Sequence, residues 1–348
     1  MSGIDPIYKE LAAKLQAEGS KYMPRILEKL ANLEQARILR ELPSPSDEIA
    51  KKLNLDRETV DKDLQELTEK GVVVVTRHGP RMVRSKGQLH DASLGNPKFD
   101  ESLGKEFFEL WAKIEDETVE ATVELLTAGG AHPRWRIIPI YKAIKDVPGV
   151  LPCEDIREIL KAQETLALVH CPCKRAYPNR ECGIPDEVCI NVGRTAEYNI
   201  NRGAGRKITV KEAFDLTDEI EKYPIIHATI NQRTINMLVC NCHWCCCTVF
   251  RPFFKQDKYK VYEGIAKSRF EATVDPEKCI HCKTCVSRCQ FGAAQMKYYP
   301  EFAEERAYID PEKCMGCGSC VITCPARARA MKIVRPPEHI PEAPGEAY

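Results

Sequence analysis

Apolar positions in the first quarter of the chain recur at helical spacing and then give way to a run that suits a strand. Leu27, Leu30, Ala31, Ile38 and Leu42 mark one face over RILEKLANLEQARILREL. Ile49 and Leu53 mark the next helix, with Ser46 as its expected cap. Val60, Leu64 and Leu67 mark a third, with Asp56 before it and Gly71 as its stop. Residues 72–75, a turn around Gly79 and Pro80, and a return through Met82 and Val83 predict a hairpin. Farther on, ESLGKEFFELWAKIEDETVEATVELL has helical spacing with acidic faces, and RWRIIPI reads as a short buried strand. GRKITVKEAFDLTDEIEKYPIIH reads as a helix between short strands. The longest apolar stretches, such as 72–75 and 166–169, fall far below the ~18 residues of a membrane span.

Helix, helix, helix, hairpin is the order of a winged helix-turn-helix. The chain is therefore expected to be an α+β multidomain protein. A winged helix-turn-helix-like domain (1–90) leads into a helical connector (91–150). A central cysteine-rich metal-cluster domain (151–267), a ferredoxin-like domain (268–335) and a proline-rich tail (336–348) complete the chain. The tail is expected to be extended, against a partner or loose.

Charge narrows the winged helix. The whole chain balances 51 basic against 51 acidic residues, which announces no partner. Residues 46–70 carry Lys51, Lys52, Arg57, Lys62 and Lys70 against Asp47, Glu48, Asp56, Glu58, Asp61, Asp63, Glu66 and Glu69, the wrong sign for phosphate binding. The hairpin carries Arg77, Arg81, Arg84 and Lys86 without an acid. Docking to a protein is favoured over docking to DNA, although winged helices often place their third helix in the major groove.

Cysteine changes the picture most. Of 18 cysteines, none precedes Cys153, and 17 lie between Cys171 and Cys324. MSGIDPIYKELAAKL has no basic-then-apolar export layout, so a cytoplasmic, reducing setting is expected, in which such thiols are held by metal rather than by disulfides. Cys153, alone before an acidic helix, reads as structural.

VDPEKCIHCKTCVSRCQFGA and IDPEKCMGCGSCVITCPARA repeat at an offset of 35 residues, each with C-x2-C-x2-C-x3-C. A cuboidal iron–sulfur cluster has four iron corners that each want a thiolate. Three closely spaced cysteines can take three corners while a distant one closes the fourth. At these residues the chain resembles the bacterial-type two-cluster 4Fe-4S ferredoxins. That resemblance implies electron relay and a crossed ligand set. Cys279, Cys282, Cys285 and Cys324 would hold one cluster, and Cys314, Cys317, Cys320 and Cys289 the other. Pro325 follows Cys324 as in that family, but Gln290 stands where the first half often has proline. Gly316 and Gly318 in the second motif correspond to His281 and Lys283 in the first, so the two potentials are expected to differ. His281 is expected to be solvent-facing or to support the site rather than ligate.

Upstream, Cys171, Cys173, Cys182 and Cys189 form C-x-C-x8-C-x6-C, and CNCHWCCC supplies Cys240, Cys242, Cys245, Cys246 and Cys247. Crowded thiols are costly unless a metal neutralises their thiolates. These nine could serve two further 4Fe-4S clusters with one left over, or one cluster plus a structural zinc; two clusters are favoured. Adjacent residues do not share a face, so one cluster is not expected to take Cys245, Cys246 and Cys247 together. His170 and His243 are expected to be core or supporting residues, and Lys174 and Arg175 to offset thiolate charge. The run LALVHCPCKR, together with the C-x6-C pair Cys182 and Cys189 and the downstream CNCHWCCC, looks similar to a module of ferredoxin-containing oxidoreductase subunits of anaerobes. That likeness implies redox work without naming a substrate.

The leading expectation is an electron-transfer subunit that relays low-potential electrons between a donor and a partner redox enzyme, such as a flavoprotein or reductase subunit. No G-x-G-x-x-G after a strand and no P-loop is present, so ATP and dinucleotide chemistry are expected in another subunit. Catalysis at an upstream cluster with an open iron position is a second reading, and no residue is assigned to it. The rival is an iron–sulfur redox sensor that binds DNA through the winged helix.

Overall fold

The computed structural model describes residues 3–128, 133–235 and 237–342, and they divide into two units. The first comprises 1–118, 169–180 and 198–206; the second comprises 119–168, 181–197 and 207–348.

In the first unit the stretch read as one helix breaks at Ala31–Asn32, where Ala31 is extended and Asn32 caps a new start, into Met23–Leu30 and Leu33–Glu41. The latter, Ser46–Leu53 and Arg57–Glu69 are the three helices, and Val73–Thr76 pairs antiparallel with Gly79–Met82 as the wing. The expected inward faces are buried, with Val60 and Leu67 fully enclosed, except that Leu53 is only partly covered. Asn32 and Gln35 close a reciprocal capping box on the first of these helices. Ser46 is not a cap. It is the first helical residue, preceded by Pro45, whose extended backbone and missing N–H suit a helix entrance. Asp56 holds the cap position of the third helix without a side-chain capping bond. Gly71 ends that helix at φ +78°, where an added Cβ would lie 2.6 Å from Ala92. The wing turn falls at Arg77–His78, earlier than expected, because Gly79 and Pro80 already belong to the return strand.

An additional helix, Pro6–Lys14, closes this core with Ile7, Tyr8, Leu11 and Ala12. The segment read as a connector divides. Lys86–Leu94 and Asp100–Glu117 belong to the first unit, where Phe107, Leu110, Trp111 and Ile114 join the same core; Val119–Thr127 belongs to the second.

Within the second unit, one sheet contributes neighbouring strands in the order Glu187–Val192, Leu238–Cys242, Ile226–Ile230, Trp135–Ile138, Ile265–Ala266. The first four are mutually antiparallel neighbours; the last is parallel to Trp135–Ile138. Alternation sends successive residues to opposite faces. Ile190, Val192, Val239 and Ile138 go to one face with the helices Ile156–Lys161 and Val210–Ile220. Cys240, Cys242, Ala228 and Ile137 go to the other, in an apolar cluster with Phe250, Phe253, Phe291, Met315 and Cys317.

The repeat folds as two interleaved copies. Phe270–Val274 pairs antiparallel with Arg329–Ile333, and Ala294–Tyr299 with Glu304–Ile309. Short helices Thr284–Arg288 and Ser319–Ile322 stand at matching places. The tail packs onto its own chain as far as Glu342: Ile340 is buried, and the Arg233 N–H donates to Pro341 O at 2.9 Å. The rest of the proline-rich tail lies outside the described residues.

Candidate metal centres

Two cavities in the second unit are lined by the repeat's cysteines. One has Cys279, Cys282, Cys285 and Cys324 in its wall with Met296, Ala307 and Arg329. The other has Cys289, Cys314, Cys317 and Cys320 with Ala272, Phe291 and Ile309. Each takes three thiols from one motif and one from the other, because the interleaved strands carry each motif's last cysteine across to its twin.

The donors suit cuboidal clusters in more than number. Thiolate sulfur ligated to iron is stabilised by amide N–H groups. Ala293 and Ala294 N–H point at Cys289 Sγ at 3.3 and 3.4 Å, Ala307 N–H at Cys279 Sγ at 3.3 Å, and Ala328 N–H at Cys324 Sγ at 3.3 Å. Without a cation the thiols have little reason to ionise. Burial pushes Cys320 up to about 12 and drives Cys317 well above its ordinary value. Metal binding there would release protons and convert these buried thiols into satisfied ligands.

The cysteine loops share one backbone despite different residues. Gly316 and Gly318 adopt φ +73° and +80°, and His281 and Lys283 both adopt φ +58°. Chain direction around each cavity therefore demands left-handed residues, whatever the side chain. The second loop needs glycine for a further reason: a Cβ on Gly316 would collide with Ser268 Oγ and the Phe270 carbonyl, and one on Gly318 would lie 2.7 Å from Ala143 Cβ. His281 is solvent-facing and 2.8 Å from Glu304.

Two asymmetries separate the cavities. Cys282 is exposed and its neighbour Ile280 is 61% exposed, so the first cavity lies near solvent; Cys314 and Cys320 of the second are buried. Arg329, itself buried, donates from Nη2 to Cys285 Sγ at 2.9 Å. One repeat earlier the equivalent residue is Ala294. Cysteine spacing alone does not single out Arg329, which is detectable only by aligning the two halves beyond their cysteines.

The nine central thiols separate into groups. Cys171 and Cys173, in the first unit, hydrogen-bond each other, and Cys171 is pushed well up by that bond and by burial. Buried Lys174 places Nζ 3.9 Å from Cys171 Sγ, near enough to offset a thiolate charge there. Arg175 is used otherwise: it binds Leu94 O and Asp100. In the second unit, Cys189 and Cys242 both hydrogen-bond Cys240, and the register that sets Ile190 opposite Val239 brings those strands together. Cys182 is hydrogen-bonded by Cys245 and Cys246 and held far below the ordinary thiol range, with His243 adding to the effect. Cys182 Sγ, a His243 ring nitrogen and Cys245 Sγ lie within 4.8 Å of one another. Cys247 packs in the apolar cluster with Phe250 and Cys242. Cys182 and Cys189 thus enter different groups, and His243 stands among sulfurs. Cys153 is buried, and its carbonyl accepts from Arg136 Nη2 at 2.6 Å.

Gln290 explains its own departure from proline. Its Oε1 accepts the Trp244 N–H at 2.8 Å and its Nε2 donates to Pro224 O. This ties the residue after Cys289 to the loop of His243 and Cys245.

The wing and third helix offer a mixed surface. On the helix, Arg57, Glu58, Asp61, Lys62 and Gln65 are exposed, and Arg57 is engaged by Asp47 at 3.0 Å and Asp61 at 3.4 Å. On the wing, Arg77 and Arg84 are exposed, whereas Lys86 is engaged by Glu115 and Thr118. Among the described residues no helix is long and apolar enough to cross a membrane.

Comparison with known proteins places a 4Fe-4S dicluster domain at residues 278–328 and an HTH domain at residues 33–80. No curated protein and no solved structure matches the chain. Two separate stretches of the chain are thus similar to a helix-turn-helix domain and to a 4Fe-4S dicluster domain.

Proposed function

We propose that the chain is an iron–sulfur electron-transfer subunit, with Cys279, Cys282, Cys285 and Cys324 holding one cluster and Cys289, Cys314, Cys317 and Cys320 the other. A 4Fe-4S cluster supplies reversible one-electron storage. The protein supplies the spacing and the environment. The observation that carries this reading is a line of sites. The Cys282 loop opens to solvent, Cys279 and Cys285 pack in one cluster with Cys289, Cys314 and Cys320, and Cys317 shares an apolar cluster with Cys240 and Cys242. Close packing of that kind shortens the path between centres and excludes water from it. The Cys189–Cys240–Cys242 thiols are accordingly the best site for a further iron–sulfur centre. The partner would be a cytoplasmic flavoprotein or reductase subunit docking at the Ile280–Cys282 surface.

Anaerobic stopped-flow mixing with a low-potential reductant and then an oxidised flavoprotein tests this. Both C-terminal centres should bleach and recover within the same transfer sequence. Centres that stay oxidised, or that keep their electrons when the acceptor is added, would reject the relay.

Arg329 gives a second expected result. Its charge favours the more reduced, more negative state of whatever Cys285 ligates. Arg329→Met should lower one midpoint potential by on the order of 50 mV and move the other less, read by potentiometric EPR titration. Equal shifts of both would contradict the assignment of Arg329 to one centre.

The HTH domain favours a second reading, redox-dependent DNA binding. With its third helix net acidic, DNA contact would fall to Arg77, Arg81 and Arg84 of the wing. Fluorescence anisotropy on promoter fragments across a salt series separates the two. The relay reading expects weak binding that is indifferent to sequence and cluster oxidation state; tight binding that changes on oxidation would establish the sensor.

A further inference from the structure

The thiols of the second unit are arranged in two styles. In the repeat, the sulfurs line two separate cavities, four to each, the number that a four-iron cube takes. Around Cys182 they close on one another: its sulfur, that of Cys245 and a ring nitrogen of His243 lie within 4.8 Å, and Cys246 joins by hydrogen bonding to Cys182 and Cys245. A tetrahedral ion with bonds of about 2.0–2.3 Å holds its donors roughly 3.3–3.8 Å apart, so Cys182, His243 and Cys245 need only a small contraction. Cys246 Sγ, now on the His243 carbonyl at 3.7 Å, turns in to complete the set.

The local chain supports the convergence. His243 opens a turn in which its carbonyl takes the N–H groups of Cys246 at 3.3 Å and Cys247 at 3.0 Å, which folds Cys245 and Cys246 back toward the imidazole. Adjacent cysteines that would diverge in a strand or helix are thereby brought to one side. Cys182 is supplied from 61 positions upstream by a loop whose Ile184 N–H points at its sulfur. Three thiolates and one imidazole form a donor set typical of structural zinc, whereas four-iron cubes take four thiolates.

We propose that Cys182, His243, Cys245 and Cys246 form a mononuclear Cys3His zinc site. The ion fixes the loop whose Trp244 amide is held by Gln290, next to Cys289. It closes a long loop and orders the ground on which the neighbouring iron–sulfur ligands stand. Being redox-inactive, it lies outside the electron path. The site is independent of the relay reading, because metal content is measured without turnover.

The test uses the full chain, purified anaerobically, with zinc, iron and acid-labile sulfide measured together. About one zinc per chain is expected, lost in Cys182→Ser and in His243→Ala while iron and sulfide stay unchanged. His243→Cys, which keeps four donors, should retain the zinc and controls for misfolding. Replacing the zinc by cobalt should give the absorption of a tetrahedral ion with thiolate-to-metal charge transfer, shifted in His243→Cys as three sulfurs become four. Loss of iron and sulfide rather than zinc from Cys182→Ser would overturn the proposal in favour of a cluster. Absence of zinc from the native chain, or zinc untouched by all three substitutions, would overturn it as well.

Discussion

Cys320→Ser should remove or convert one C-terminal centre, taking the repeat's iron from about eight toward about four atoms per chain and slowing electron throughput at least roughly tenfold. Cys320 is buried at the head of the helix Ser319–Ile322, where a hydroxyl gives iron a poorer donor and water cannot easily substitute. The crossed arrangement sharpens the expectation. Cys289→Ser should perturb the same EPR signal as Cys320→Ser, although Cys289 belongs to the other motif, because both line the same cavity. Cys279→Ser should perturb the second signal, with Cys324→Ser following it. Unchanged reduction kinetics in Cys320→Ser, or pairing of Cys289 with Cys279, would refute the partition.

The largest expected loss of stability comes from Gly316→Ala. The residue is left-handed, and its Cβ would enter Ser268 Oγ and the Phe270 carbonyl, both parts of a buried strand entrance that cannot swing aside. A cost on the order of 3 kcal/mol or more is expected, with impaired cluster incorporation. Gly292→Ala is the control. It is also left-handed, at φ +65°, but a Cβ there meets nothing within 4 Å, so only the conformational cost of about 1 kcal/mol should appear. Chemical denaturation of both variants measures the contrast; equal destabilisation would mean that backbone conformation, not the Ser268–Phe270 wall, sets the requirement for glycine.

The helices of the first unit are readable in the sequence because each carries an apolar stripe of its own, as in Val60, Leu64 and Leu67. Pro6–Lys14 escapes notice because its short stripe has meaning only against the core formed by later helices. The wing turn is misplaced for a local reason: Gly79 and Pro80 look like turn residues, yet Gly79 at φ +101° opens the return strand. The sheet of the second unit is hidden because its strands are short and pair with partners far away in sequence, as Trp135–Ile138 does with Ile226–Ile230.

The same distinction governs the metal centres. The repeat announces its eight cysteines because both motifs are compact and identical in spacing. The central thiols depend on tertiary structure: Cys182 and Cys189, seven positions apart, are sent to different groups. His243 reads as a bystander because no spacing rule links it to Cys182. Gln290 is visible as a departure, but its cause, the amide of Trp244, is not.

The central claim is that these cysteines hold iron–sulfur centres within electron-transfer reach of one another. Iron and sulfide analysis combined with EPR of the dithionite-reduced, anaerobically purified chain addresses it most directly. At least about eight irons and eight sulfides per chain are expected, with two interacting reduced centres. A colourless, iron-free protein, or centres that reduce without sensing each other, would contradict it.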